Sequence, residues 1–101
     1  MSAKAMVYYV VFVVTAYASL EDALANAPDA LAAHMARSEE WHRQGPLLMA
    51  GAFLDNPAEP LSTMSVLTSR EAAEEYIKGD PFVVNGMVTN WHIRECANMF
   101  A

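Results

Sequence analysis

Cysteine is nearly absent from this chain of 101 residues, with Cys96 as its single example. One thiol can close no internal disulfide and build no cysteine zinc site, and its scarcity fits a reducing, cytoplasmic setting. Only Arg94 supplies positive charge nearby, so Cys96 reads as an inert, partly buried thiol. Positive charge is sparse along the whole chain. Six Lys and Arg against twelve Asp and Glu leave a net charge of −6, and the basic residues are scattered, so no groove that tracks a phosphate backbone is expected and nucleic acid is not expected as a partner. The chain also lacks the roughly 20 consecutive apolar residues that a membrane-spanning helix needs. Its three histidines, His34, His42 and His92, show no recognised metal-ligand spacing, so neither a metal nor another cofactor is expected.

What is present is a hydrophobic content of 54%, which fits one globular domain over residues 1–101 burying roughly 60 to 70% of its extended surface. The run from Ala5 to Ala18, with Lys4 before it and Ala16-Tyr17-Ala18 at its end, has the outline of a signal peptide. Its residue types favour a strand instead. Val7, Val10, Val11, Val13 and Val14 are β-branched, Tyr8, Tyr9 and Phe12 are aromatic, and leucine is missing. A strand with one wet face alternates polar and apolar residues. This one does not, so both of its faces must be covered, one by helices and the other by a second subunit.

Pro28 at a first helical position and Asp29 beside the positive end of the dipole start a helix that runs to about Gln44. Gly45-Pro46 stops it. Leu31, His34, Met35, Ser38 and Trp41 recur at three- and four-residue steps and form its core face, while Arg37, Glu39 and Glu40 form the solvated side. Leu47 to Leu54 reads as a strand in which Gly51 admits a close approach of backbone or ligand. A loop over Asp55 to Pro60 leads to a strand over Leu61 to Leu67. Thr68 with Glu71 then makes a capping box for a helix over Ser69 to Lys78, ended by Gly79. Asp80-Pro81 starts a short turn, Asn85-Gly86 makes a tight turn, and Met87 to Arg94 forms the last strand. The order is βαββαβ, that of the ferredoxin-like plait in the α+β class, with both helices on one face of an antiparallel sheet. Pairing two such sheets through their bare faces gives a dimeric α/β barrel.

The tyrosine- and valine-rich opening strand, His34 on the first helix, the segment Gly45 to Gly51 and the run Gly79-Asp80-Pro81-Phe82 resemble, in this order and spacing, the YCII-related family over nearly the whole chain. The resemblance implies the dimeric barrel and an active site built from a histidine and an aspartate, which fall on His34 and Asp80. One relative in that family is a dehydrochlorinase acting on a chlorinated hydroxyhydroquinone. Relatives often carry an arginine shortly before the histidine and a polar residue closing the first strand. Here Leu31 and Val14 stand at the corresponding positions.

The residue types suit that reading. Histidine is the side chain whose ordinary pKa lies closest to neutral pH, and a carboxylate between Gly79 and Pro81 has little backbone freedom. As a dyad they form a general base with its orienting carboxylate. Alone, His34 would be an ordinary core histidine and Asp80 a turn former. Trp41, Gly51, Phe53, Pro81, Phe82, Met87 and His92 are the candidate substrate contacts, with Phe82 foremost because it lies two residues from Asp80. His92 shares a strand face with Asn90, and His42 reads as a surface residue near a helix C-terminus. The function expected is a cofactor-independent enzyme that transfers protons on a small cyclic or aromatic metabolite, an isomerase, lyase or dehydrochlorinase acting as a homodimer. The alternatives are a non-catalytic barrel that holds a small ligand and an accessory subunit of a larger assembly.

Overall fold

β1 (Met6–Thr15) is an inner strand of the sheet. In this computed structural model, which describes residues 6–100, it pairs antiparallel with β3 (Ser62–Leu67) on one side and β4 (Val88–Asn98) on the other. β2 (Leu47–Ala52) completes the sheet beyond β3, in the order β2-β3-β1-β4. Lys4 and Ala5 of the opening run lie outside the described residues. This is the strand order of the ferredoxin-like plait. β4 continues four residues past the expected Arg94, because β1 offers partners as far as Met6 opposite Asn98.

Among the described residues four helices occur instead of the two expected. α1 (Leu20–Asn26) precedes α2 (Pro28–Gln44), and α3 (Arg70–Lys78) is followed by the single turn α4 (Pro81–Val84). α1 is started by Ser19, whose hydroxyl accepts from the Asp22 amide at 3.0 Å, while Asp22 accepts from the Ala18 amide at 2.8 Å. It breaks at Ala27 because Pro28 has no N–H to continue the ladder. The cap of α3 is Ser69 and not Thr68: the Ser69 hydroxyl accepts from the Ala72 amide at 3.0 Å. α2 ends at Gly45, whose φ of +109° is the left-handed conformation that glycine adopts without steric cost.

Alternate residues of β1 divide between two environments. Val11, Val13 and Thr15 are buried, and Val11 and Val13 pack with Leu47, Leu67, Ala73, Tyr76 and Ile77 in the core between sheet and helices. Each fully buried aliphatic side chain there contributes about 1.5 to 3 kcal/mol. A second cluster of Tyr17, Ala23, Leu61 and Phe82 lies beside it, with Tyr17 and Phe82 edge to face at 5.4 Å. The other face carries Tyr8, Val10, Phe12 and Val14, which stay half-buried in the single chain. Cys96, opposite Tyr8, is exposed and not partly buried, because it sits on that uncovered face.

On α2 the expected core stripe is narrower than its spacing suggested. Leu31, His34, Ser38 and Trp41 are half-buried, whereas Met35 is 59% exposed. Arg37 is not part of a solvated side. Its guanidinium donates to the carbonyls of Tyr76 at 2.8 Å and Glu75 at 3.1 Å, placing positive charge at the negative end of α3, and it lies over the rings of Trp41 and Tyr76. No helix among the described residues is long and apolar enough to cross a membrane.

Candidate active site

α2 and α4 meet where the first helix presents His34 and the second begins at Asp80. Asp80 is the N-cap of α4: its Oδ2 accepts from the Phe82 amide at 3.1 Å, and Pro81 follows at the first helical position. That bond orients the carboxylate, and its other oxygen, Oδ1, is hydrogen-bonded to Nδ1 of His34. Asp80 is only 4% exposed, so this pairing supplies the partner a buried carboxylate requires. The His34 ring also stacks on Phe82, with centroids 5.1 Å apart and planes 29° from parallel. Two contacts therefore hold the imidazole, one at Nδ1 and one across its face.

Beside the pair is a narrow cavity of about 30 Å³, lined by Val13, Thr15, Leu61, Thr63, Ser65, Tyr76 and Ile77 in addition to His34, Asp80 and Phe82. That volume is about the share of one water in the liquid. Among these lining residues there is no lysine or arginine. Thr15 closes β1 here, donating to the Leu61 carbonyl at 2.9 Å and accepting from the Tyr17 amide at 3.2 Å. The polar residue ending the first strand is thus Thr15, while Val14 points to the opposite face. The Tyr76 hydroxyl is hydrogen-bonded to Ser38 at 2.6 Å, one helical turn beyond His34.

The remaining residues singled out from the sequence are dispersed. Pro81 and Phe82 belong to the dyad's own turn, and Met87 packs against the cluster that contains Phe82. Trp41 lies two turns along α2 from His34 and faces a wide surface depression of about 560 Å³ with Glu71, Glu74, Glu75 and Lys78. That depression is far larger than the dyad cavity but holds no histidine. Phe53 lines another surface hollow with Asp55, Asn56 and Glu59. Gly51 and His92 are on the sheet face turned away from the helices. A Cβ built on Gly51 would meet nothing within 4 Å, so no close backbone approach requires the glycine. His92 stacks on Phe12 at 5.0 Å. His42 bonds through Nδ1 to the Leu47 carbonyl at 2.8 Å. No group of three or more side chains suited to a metal occurs among the described residues.

Thr15, Thr63, Ser65 and Tyr76 escaped the sequence reading. A signal for two of them was available: Leu61, Thr63, Ser65 and Leu67 fall on one face of a strand by their alternation, and a pair of hydroxyls between two core leucines is out of place in ordinary packing.

Comparison with known proteins gives the same architecture. A family model described as the YCII-related domain matches residues 7–97. No curated protein matches the sequence. Among solved structures, the chain is similar to the 5-chloro-2-hydroxyhydroquinone dehydrochlorinase of Burkholderia phenoliruptrix, determined in complex with 2,5-dihydroxybenzoquinone, at a TM-score of 0.61 and 15% identity over 86% of this chain and 90% of that one. It is also similar to a candidate antibiotic biosynthesis monooxygenase from Nitrosomonas europaea, at 0.56 and 9% over 99% and 97%. A conserved protein from Methanosarcina mazei matches at 0.55 and 14% over 90% and 92%. At such identities these likenesses establish the fold and nothing finer.

Proposed function

The chain belongs to the YCII-related domain family, and from that premise we propose that it is a cofactor-independent enzyme moving protons on a small cyclic or aromatic metabolite, as an isomerase or a lyase of the dehydrochlorinase type. One observation carries the reading: Nδ1 of His34 is hydrogen-bonded to Asp80, and its Nε2 has no protein partner among the described residues. An ionised carboxylate can only accept, so Nδ1 carries the proton and the Nε2 lone pair is the base. Asp80 holds that tautomer and stabilises the imidazolium that forms. In an elimination, the ring reacts as its keto tautomer, with hydrogen on the carbon that carries chlorine. Nε2 takes a proton from a hydroxyl or an activated carbon of that form, the electron pair it leaves makes the new π bond, and chloride departs with its bonding pair. The proton then passes from His34 to solvent, so hydrogen chloride is lost and no electrons are gained or lost overall; in an isomerisation the proton returns to another atom of the substrate.

The proposal includes a homodimer. Tyr8, Val10, Phe12 and Val14 leave an apolar sheet face half-exposed in one chain, and joining two such faces would remove it from water.

The first compound to offer is 5-chloro-2-hydroxyhydroquinone, the compound in the name of the similar dehydrochlorinase, with chloride release as the readout. His34→Ala is expected to lower turnover by about 10²- to 10⁴-fold while circular dichroism reports an intact fold. Turnover at the wild-type rate in that variant overturns the assignment. A second reading is a barrel that binds a ligand without converting it, for which the same two groups, His34 and Asp80 beside the cavity, would serve as hydrogen-bond partners. Tight binding with no conversion on long incubation would select it.

A further inference from the structure

The sheet side of the dyad cavity carries two hydroxyls for which packing gives no reason. Thr63 and Ser65 lie on the helix-facing side of β3, and both line the cavity. Ser65 is 5% exposed, and its strand partners, Val11 and Ala50, are apolar. Other hydroxyls nearby are engaged, that of Thr15 with the Leu61 carbonyl and that of Ser62 with the Pro60 carbonyl. Those of Thr63 and Ser65 have no hydrogen-bond partner among the described residues, and no fully enclosed side-chain polar atom is left unpaired there. The Ser65 hydroxyl is therefore reached through the cavity. A hydroxyl open to the cavity and without a protein partner is free to pair with a polar group bound there.

We propose that Ser65, with Thr63 beside it, binds one oxygen atom of an uncharged substrate within reach of His34. The proposal rests on the reading of His34 as the proton-transferring group and adds the class of molecule that the site takes. A cavity of about 30 Å³ has room for a single hydroxyl or carbonyl oxygen, with the rest of the molecule at its mouth. Serine can accept from a neutral hydroxyl and donate to an oxyanion. When His34 Nε2 removes the proton of that hydroxyl, the oxygen keeps the electron pair and the Ser65 O–H donates to it, so stabilisation grows as charge develops. Charge sets the selectivity. The lining contains Asp80 and no cation, and Arg37, the nearest arginine on α2, is committed to the carbonyls of α3. A carboxylated substrate would bring its negative charge to the mouth of a site whose lining offers no lysine or arginine to receive it.

The test is calorimetric titration of the full chain with hydroquinone and with its carboxylated counterpart gentisate, alongside thermal unfolding. Hydroquinone is expected to bind the wild type at least tenfold more tightly than gentisate. In Ser65→Ala its affinity should fall about fivefold, the worth of one hydrogen bond, while Tm stays level or rises because the partnerless hydroxyl is gone. Ser65→Val, which fills the cavity, should abolish binding. Equal affinities for the two probes, no hydroquinone binding to the wild type at millimolar concentration, or a Ser65→Ala protein with unchanged affinity and lowered Tm each overturns the proposal. The two readings fail separately. Normal turnover in His34→Ala removes the acid/base role, whereas unchanged hydroquinone affinity in Ser65→Ala alongside a turnover defect in His34→Ala removes only the oxygen site.

Discussion

One histidine of the helix layer, His34 on α2, and one of the sheet's open face, His92 on β4, have different surroundings. On the helix side, His34 is held at Nδ1 by a buried carboxylate, stacked on Phe82 and set against a narrow cavity. On the open side, His92 is stacked on Phe12 in a similar way, at 5.0 Å, but it is exposed and makes no side-chain hydrogen bond among the described residues. Aromatic stacking is therefore common to both. What distinguishes His34 is a carboxylate that fixes its tautomer in an enclosed site, and enclosure strengthens every charge interaction made there.

The sharpest way to break this contrast is to remove the carboxylate's charge while keeping its shape. Asp80→Asn leaves one carbonyl oxygen to serve two donors, the Phe82 amide and Nδ1–H of His34. If the oxygen stays on the cap, the amide NH₂ faces His34 and forces Nδ1 to accept. The proton then moves to Nε2 and the base is lost. Turnover should fall by at least about 10²-fold. Asp80→Ala loses the cap as well, and should lower stability by about 1 kcal/mol more than the amide does. Chloride-release kinetics and thermal unfolding on the pair of variants separate the two roles. An Asn variant with full activity would make Asp80 a helix cap and nothing more.

The second contrast lies in what covers each face. Core helices cover Val11 and Val13, whereas Phe12, between them in sequence, lies on the face proposed to meet another copy of the chain. Phe12→Asp places a charge on that face without touching the dyad. Sedimentation velocity at micromolar concentration should shift from dimer to monomer, since an unpaired charge at an apolar interface costs several kcal/mol. A wild-type protein that sediments as a monomer at that concentration removes the dimer from the proposal.

The extent to which this arrangement was legible in the sequence follows from the range of the interactions involved. Strands and the two long helices are set by local pattern and by terminators such as Pro28, Gly45 and Gly79, so their order could be read directly. α1 was missed even though Ser19 and Asp22 carry a cap signal, because its 7 residues are too few to establish a helical period. The cap of α3 was misplaced by one residue because Thr68 and Ser69 are both hydroxyl residues before an acidic turn, and only geometry chooses between them. His34 and Asp80 are 46 residues apart, so no spacing rule joins them, and it was the family resemblance that paired them. Trp41 and Phe53 are aromatic, but that property does not fix which hollow a side chain faces. The hydroxyls of Thr63 and Ser65 were overlooked although their alternation with Leu61 and Leu67 sets them on one strand face, because small polar residues in a short strand were given no weight beside the aromatic ones.

The smallest effect is expected at the second histidine. His92→Ala removes the ring stacked on Phe12 and leaves the helix side intact, so turnover should stay within about twofold of the wild type, because no contact of His92 reaches the dyad. Stability should change by less than about 1.5 kcal/mol, the upper value for an aromatic pair beyond its burial. Measured together with His34→Ala, this variant tests whether chemistry belongs to one face alone. If His92→Ala lowers turnover tenfold or more while the sedimentation coefficient stays that of the wild type, the open face contributes directly to the reaction, and the assignment of the acid/base step to His34 must be redrawn to include it. If turnover and sedimentation fall together, His92 acts through the association of the two sheets, and the dependence of activity on protein concentration gives the strength of that coupling.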